Sequence, residues 1–119
     1  MSTNRALRIP DYLDHILQAI GRIKSYTHDM TEAGFLRDEK TQDAVIRNIE
    51  IIGEAARNIE RSHPDFAAQH ADVPWGIAYE MRNALAHGYF KVDFEIVWKT
   101  IENDLPGLEQ QILLIRTRE

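Results

Sequence analysis

The sequence predicts an all-α fold, an antiparallel bundle of four main helices plus a short or kinked extra helix. Apolar residues recur three or four positions apart along almost the whole chain, and no segment requires a strand. Proline, aspartate and glycine stand where these apolar stripes begin and end. The chain has 119 residues, 44% hydrophobic and 28% charged, which predicts a single folded domain over residues 1–119.

The first predicted helix opens at Pro10 and Asp11, both good helix-opening residues, and runs to about His28. Its apolar residues fall on one side, as expected for a helix that packs on a core. This stripe consists of Leu13, Ile16, Leu17, Ile20 and Ile23. The stretch DMTEAGFLRD that follows is predicted to be a loop.

The second predicted helix is long and ends before His63. Either Asp38 or Thr41 is expected to cap it, because their side chains accept hydrogen bonds from the free N–H groups of a first turn. Its stripe consists of Val45, Ile49, Ile52, Ala56 and Ile59. Gly53 inside this helix costs about 1 kcal/mol relative to alanine, which indicates a close helix-to-helix approach that needs a small residue.

The second half of the chain predicts two more main helices and a last helical segment. A single helical turn is expected at Phe66–His70, Pro74 fits the first position of the third helix, and Gly88 is a plausible stop. The fourth helix starts near Asp93, and Pro106 interrupts it. One side of the third helix carries Trp75, Ala78, Tyr79, Arg82, Leu85 and Ala86. The later stripes are Phe94, Val97, Trp98, Ile101 and Leu105, then Leu108, Ile112 and Ile115.

Composition excludes several classes of function. The chain has no cysteine, so a disulfide framework or a thiolate zinc site is ruled out. The net charge of −5 argues against a broad phosphate-binding surface. The five histidines show no metal-binding spacing and the six glycines form no phosphate loop, so we expect no metal and no cofactor. No secretory signal or membrane span is found in the sequence, which predicts a cytoplasmic protein.

The run MRNALAHGYF, residues 81–90, carries the most unusual chemistry in the chain. It places Arg82, Asn83, His87 and Tyr89 close together among alanines. An imidazole can accept a proton from a ribose 2′-hydroxyl, and a guanidinium can donate two parallel hydrogen bonds to a phosphoryl group. These are the two functions that RNA cleavage without metal ions demands, because fixed cations must then stabilise the developing charge.

Two readings of this pair stay open from the residues alone. On a regular helix Arg82 and His87 lie about 7.5 Å apart along the axis and on different sides. They converge on one phosphate if the helix frays between Leu85 and Gly88, or if two copies of the chain bring their pairs together. In the structural reading, Arg82 pairs with a carboxylate of the bundle and His87 caps the helix C-terminus.

The stretch RNALAHGY resembles the R-x4-6-H motif of the HEPN superfamily, in the R-x4-H-x-Y form of HepT-like ribonuclease toxins. The segments DYLDHILQAIGRI, AVIRNIEIIGEAARNI, VPWGIAYEMRNALAHGYF and VWKTIENDLPGLEQQI are similar to HepT segments in the same order. The resemblance therefore covers nearly the whole chain, and the motif positions are all intact. It implies a HEPN-like helical domain that forms a homodimer with the two motifs facing one cleft.

The resemblance also implies a role for each motif residue. Arg82 and His87 would be the cleavage pair, Asn83 would orient the site, and the products would carry 2′,3′-cyclic phosphate and 5′-hydroxyl ends. The substrate would be RNA such as tRNA or mRNA. Tyr89 resembles the tyrosine that a cognate minimal nucleotidyltransferase antitoxin, of the MntA kind, modifies with AMP. The protein would then be the toxin of a type II-like or type VII toxin–antitoxin system.

Two other functions compete with the nuclease. The first is a non-catalytic HEPN module that binds a nucleotide or complexes a nucleotidyltransferase, and the second is a purely structural dimer. Glu54 lies on a charged face of the second helix, which is typical of a solvated surface held by weak ion pairs. Because IGEA is typical of HepT relatives, Glu54 is also a candidate residue of the dimer cleft or a partner of Arg82.

Overall fold

The computed structural model describes residues 8–76, 86–87 and 91–118, and these form six helices and one short antiparallel strand pair. This confirms the predicted all-α class. The helices are α1 (Ile9–Tyr26), α2 (Glu32–Phe35), α3 (Glu39–Ser62), α4 (Pro64–Gln69), α5 (Phe94–Asn103) and α6 (Leu105–Arg118), and the strands are β1 (Ala86–His87) and β2 (Lys91–Val92).

Helices α1 and α3 form the centre of the fold and run antiparallel. Arg22, late in α1, donates from Nη1 to Oδ1 of Asn48, early in α3, over 3.3 Å. At the other end, the ring of Tyr12 in α1 lies 6.1 Å from the ring of His63, which follows the last residue of α3. The predicted stripes of both helices are buried, except that Leu17 is only half-buried.

The start of α3 follows the prediction that Asp38 or Thr41 caps it. The residue is Asp38, whose Oδ1 accepts a hydrogen bond from the backbone N–H of Thr41 over 3.0 Å. The same hydrogen bond lowers the pKa of the Asp38 carboxyl, because it favours the ionised form. The predicted loop before it contains a short helix, α2, whose first turn is closed by the Thr31 hydroxyl accepting from the Gly34 N–H.

Helix α6 packs antiparallel on α1. Arg116 donates from Nε and Nη2 to the two carboxylate oxygens of Asp14 over 2.7 and 3.3 Å. Lys24, near the other end of α1, donates to Glu109 over 3.1 Å. The Arg116 hydrogen bonds hold the pKa of Asp14 below its ordinary value, because they stabilise the carboxylate.

An aromatic cluster attaches α5 to the rest of the core. Phe35 of α2 is fully buried, and its ring lies 5.3 Å from the ring of Trp98 and 6.3 Å from that of Phe94. Helix α5 ends at Asn103, Asp104 follows, and α6 begins at Leu105 with Pro106 as its second residue. The predicted interruption is therefore confirmed, because a proline fits a first helical turn but clashes with the turn before it. Leu105, predicted for the fourth helix, belongs to α6.

The largest correction concerns the end of the predicted third helix. Trp75 and Gly76 are helical, as Pro74 predicted, and Gly88 lies outside the described residues. Ala86 and His87, however, are paired with Val92 and Lys91 in an antiparallel ladder, so Ala86 is not part of a helix. A two-residue pairing leaves no alternating apolar pattern, which is why the sequence gives no sign of it.

Candidate active site

The predicted cleavage motif lies only partly within the described residues. His87 is the second residue of β1, and its backbone pairs with that of Lys91. Arg82, Asn83 and Tyr89 lie outside the described residues, as does the distance between the arginine and the histidine. A fraying helix end was one way in which Arg82 and His87 could converge on a phosphate. At His87 the backbone is instead extended and paired.

The strand that pairs with His87 is fixed by the helix that follows it. Val92 packs against the core, and Asp93 links β2 directly to α5. The Asp93 carboxylate accepts hydrogen bonds from the N–H groups of Glu95 and Ile96 over 3.0 and 3.2 Å. This confirms the predicted helix start near Asp93. The backbone of His87 is thereby tied, through β2, to a helix whose Trp98 is buried in the core.

Glu54 lies on the exposed side of α3, as predicted for a solvated face. Arg47, Arg57 and Arg61 on the same side are also exposed, and Glu50 is half-buried. A pairing of Glu54 with Arg82 concerns a residue outside the described part of the chain. The buried Gly53 next to Glu54 agrees with the predicted need for a small residue.

Glu54 borders a concavity between α1 and α3, which we call the α1–α3 concavity. It has a volume of about 260 Å³ and is lined by Tyr12, His15, Ile51, Glu54, Ala55 and Asn58. The Tyr12 ring meets the His15 ring edge-on, with 6.4 Å between centroids. Sequence reasoning missed Tyr12, His15 and Asn58, because only the antiparallel register of the two helices brings them to one place.

A larger groove lies at the turn between α3 and Trp75. Its volume is about 590 Å³. Among the described residues it is lined mostly by small apolar side chains, including those of Ala67, Ala68, Val73 and Pro74, and by Glu60. Of the two, the α1–α3 concavity has the richer set of hydrogen-bonding groups for a nucleic acid component.

Within the described ranges, no three histidine or acidic side chains are grouped closely enough to hold a metal ion. Over the same residues, no helix combines the length and apolar character needed to cross a membrane.

Comparison with known proteins gives one family and several relatives. The family model described as "Ribonuclease HepT-like" matches residues 16–115. A Thermococcus cleftensis protein named "Probable ribonuclease HepT" is 43% identical over 106 residues, which are 89% of this chain and 94% of the relative. A candidate RNase of Caldanaerobacter subterraneus subsp. tengcongensis is 36% identical over 108 residues, which are 91% of this chain and 94% of that protein.

A third relative has a different overall organisation. A Methanocaldococcus jannaschii protein named "Gamma-glutamylcyclotransferase and putative RNase" is 43% identical over 104 residues, which are 87% of this chain but 46% of that protein. No solved structure gives a significant match.

Proposed function

Because the chain belongs to the family of HepT-like ribonucleases, we propose that it is an endoribonuclease that cuts RNA without a metal ion. The observation that carries the proposal is the family match over residues 16–115 together with an intact Arg82, Asn83, His87 and Tyr89 in the sequence. The relatives' names support the activity, since two of them describe ribonucleases along nearly the full length of those proteins.

In the proposed reaction, neutral His87 accepts the proton of a ribose 2′-hydroxyl. The 2′-oxygen attacks the adjacent phosphorus, and the bond from phosphorus to the 5′-oxygen breaks. That oxygen takes up a proton from water, and His87 returns its own proton to water. Arg82 donates two hydrogen bonds to the phosphoryl oxygens as charge accumulates on them, and Asn83 orients the group. The products carry a 2′,3′-cyclic phosphate and a 5′-hydroxyl.

The strand pairing of His87 supports this role. A general base must be held in place to act, and the backbone of His87 is paired with Lys91 and tied through Asp93 to α5. A histidine that merely caps a helix end needs the last helical carbonyls beside it. His87 is in strand β1, and the end of the preceding helix lies outside the described residues, so this alternative stays open.

We also propose that the protein is the toxin of a toxin–antitoxin pair and acts as a homodimer. Two copies of Arg82 and His87 at one cleft make a local cationic site on a chain of net charge −5. A minimal nucleotidyltransferase would silence it by attaching AMP to Tyr89, because a bulky anion there repels the RNA phosphate.

The nuclease proposal is tested by incubating bulk tRNA with the purified protein in excess chelator. The wild type is expected to cut, and His87→Ala and Arg82→Ala are expected to lose about 100- to 10,000-fold in rate. His28→Ala is the matched control, because His28 is an exposed histidine that follows α1 and pairs with the neighbouring Asp29.

Mass spectrometry must first establish that the protein carries no AMP. An unmodified wild type that leaves tRNA intact would contradict the nuclease and favour a binding module. Cleavage that occurs without chelator but is lost when chelator is added would contradict the metal-free chemistry. An AMP increment on the peptide that contains Tyr89, after production with a nucleotidyltransferase partner, would support the proposed regulation.

A further inference from the structure

The α1–α3 concavity has the size of a site for one small planar group. Its volume of about 260 Å³ lies below the range of about 300–1,000 Å³ that drug-sized ligands occupy. The helices that form it are anchored in the core, since Tyr12 and Ala55 are 6% and 4% exposed. The site is therefore preformed and does not depend on a loop.

The walls of the concavity differ in chemistry. Ile51 and Ala55 of α3 provide an apolar surface on which a flat ring can lie. On the α1 side, the exposed imidazole of His15 is oriented by its edge-on contact with Tyr12. Histidine rings stack on unpaired RNA bases as other aromatic side chains do.

The polar atoms at the edge of the concavity restrict which base fits. The Glu54 carboxylate only accepts hydrogen bonds, and the Asn58 amide both donates and accepts. Two carboxylate oxygens match a base edge that carries two adjacent N–H donors. Guanine has such an edge in its N1–H and N2–H groups, whereas adenine, cytosine and uracil each present a single donor group beside an acceptor. A base without the paired donors leaves the carboxylate unsatisfied next to an anionic strand.

The exposed face of α3 offers a nearby contact for the strand itself. Arg61 is exposed and lies seven residues after Glu54, so it is on the same side of the helix and about 10 Å further along its axis. An arginine at that position can bind a phosphate next to the bound base.

We infer that the α1–α3 concavity binds an unpaired guanine of the RNA, with Glu54 accepting from its N1–H and N2–H groups and His15 stacking on its ring. This inference rests on the proposed ribonuclease function, to which it adds a preference for RNA that contains an unpaired guanine. Asn58 completes the edge by pairing with a remaining polar atom of the base.

The test measures binding of four 2′-O-methyl tetranucleotides that differ only in having guanine, adenine, cytosine or uracil at the third position among uridines. These RNAs lack the 2′-hydroxyl and cannot be cut, so binding is separated from catalysis. Fluorescence anisotropy is expected to give about tenfold or tighter binding of the guanine oligonucleotide over the other three. Glu54→Gln is expected to abolish that difference, because an amide cannot accept from both donors.

Glu60→Gln is the matched control. It removes the same charge from an exposed position of the same helix, outside the concavity, and is expected to keep the guanine preference. His15→Ala is expected to weaken all four oligonucleotides about fivefold or more, because stacking is tolerant of the base. Thermal unfolding of each variant checks that the fold is intact.

The inference is overturned if the four oligonucleotides bind equally or if Glu54→Gln keeps the preference for guanine. Cleavage of tRNA in chelator separates this result from the fate of the proposed function. A protein that cuts tRNA but shows no guanine preference would contradict the proposed guanine site and leave the nuclease proposal standing. A protein that prefers guanine but does not cut tRNA would contradict the nuclease proposal and support the guanine site.

Discussion

Helices α1 and α6 lie side by side but bury their apolar residues in different ways. In α1, as in α3, almost every large apolar residue faces the core, and the opposite side is polar. In α6 the buried residues Leu105, Leu108, Ile112 and Ile115 are accompanied by Leu113 and Leu114, which are 43% and 61% exposed. The large apolar side chains of α1 and α3 are thus almost all buried within one chain, whereas α6 has apolar side chains both on its buried side and on its exposed side.

Because of this difference, we expect the buried stripes of α1 and α3 to contribute far more to folding stability than the exposed leucines of α6. Where one stripe is buried against another, each side chain contributes both transfer free energy and close packing. An exposed leucine contributes little to folding, since its environment changes little when the chain unfolds. Four substitutions test this comparison.

The largest effect is expected at the centre of the α1–α3 pair. Ile52 is fully buried in α3, and Ile52→Ala is expected to lower the free energy of unfolding by about 2–5 kcal/mol through lost burial and a cavity. Urea denaturation followed by circular dichroism measures it. Leu113→Ala serves as the α6 comparison and should stay within about 0.5 kcal/mol. Equal losses in the two variants would erase the distinction between the helices.

A smaller effect is expected at the ion pair that joins α6 to α1. The Arg116 hydrogen bonds lower the pKa of Asp14 in the folded state, so the pair stabilises the protein above the ordinary aspartate pKa and stops doing so as the pH falls through the folded value. Because both side chains are more than a third exposed, Asp14→Asn should cost at most about 1 kcal/mol at pH 7. In unfolding curves measured from pH 7 to pH 3, the difference in unfolding free energy between wild type and variant should narrow towards the acidic end. A gap that stays constant with pH would contradict the ion pair as its source.

The smallest effect is expected on the outer side of α6. Leu114→Ser should change the free energy of unfolding by less than about 0.5 kcal/mol, because the side chain is mostly exposed. Thermal unfolding at two protein concentrations checks this. If the wild-type midpoint rises with concentration and the variant loses that rise, the outer leucines contact another chain, and α6 is as fully buried as α1.

The helical part of the fold could be predicted from the sequence because its signals are local. Stripes spaced three and four residues apart predicted α1, α3, α5 and α6. Their position before a stripe made Asp93 a predicted helix start and Asp38 one of two candidates, with Thr41, for the start of α3. The strand pair at His87 could not be found, because two residues are too few for a pattern.

The candidate site residues also fall into two groups, those that a local motif identifies and those that only the fold brings together. Arg82, Asn83, His87 and Tyr89 stand together in the sequence, so a motif identifies them as candidates, and their roles stay predictions. Glu54 was a candidate because IGEA is typical of HepT relatives, whereas Tyr12 and His15, some forty residues earlier, belong to no spacing that points to chemistry. They meet only because α1 and α3 are antiparallel in one particular register, which depends on packing over the whole length of both helices.

The link between β2 and α5 has a consequence for the evolution of this chain. Asp93 alone separates Val92 from Phe94, and its side chain is already used to close the first turn of the helix. An inserted or deleted residue at this junction would rotate His87 and its strand relative to the core, so length variation belongs elsewhere in the molecule.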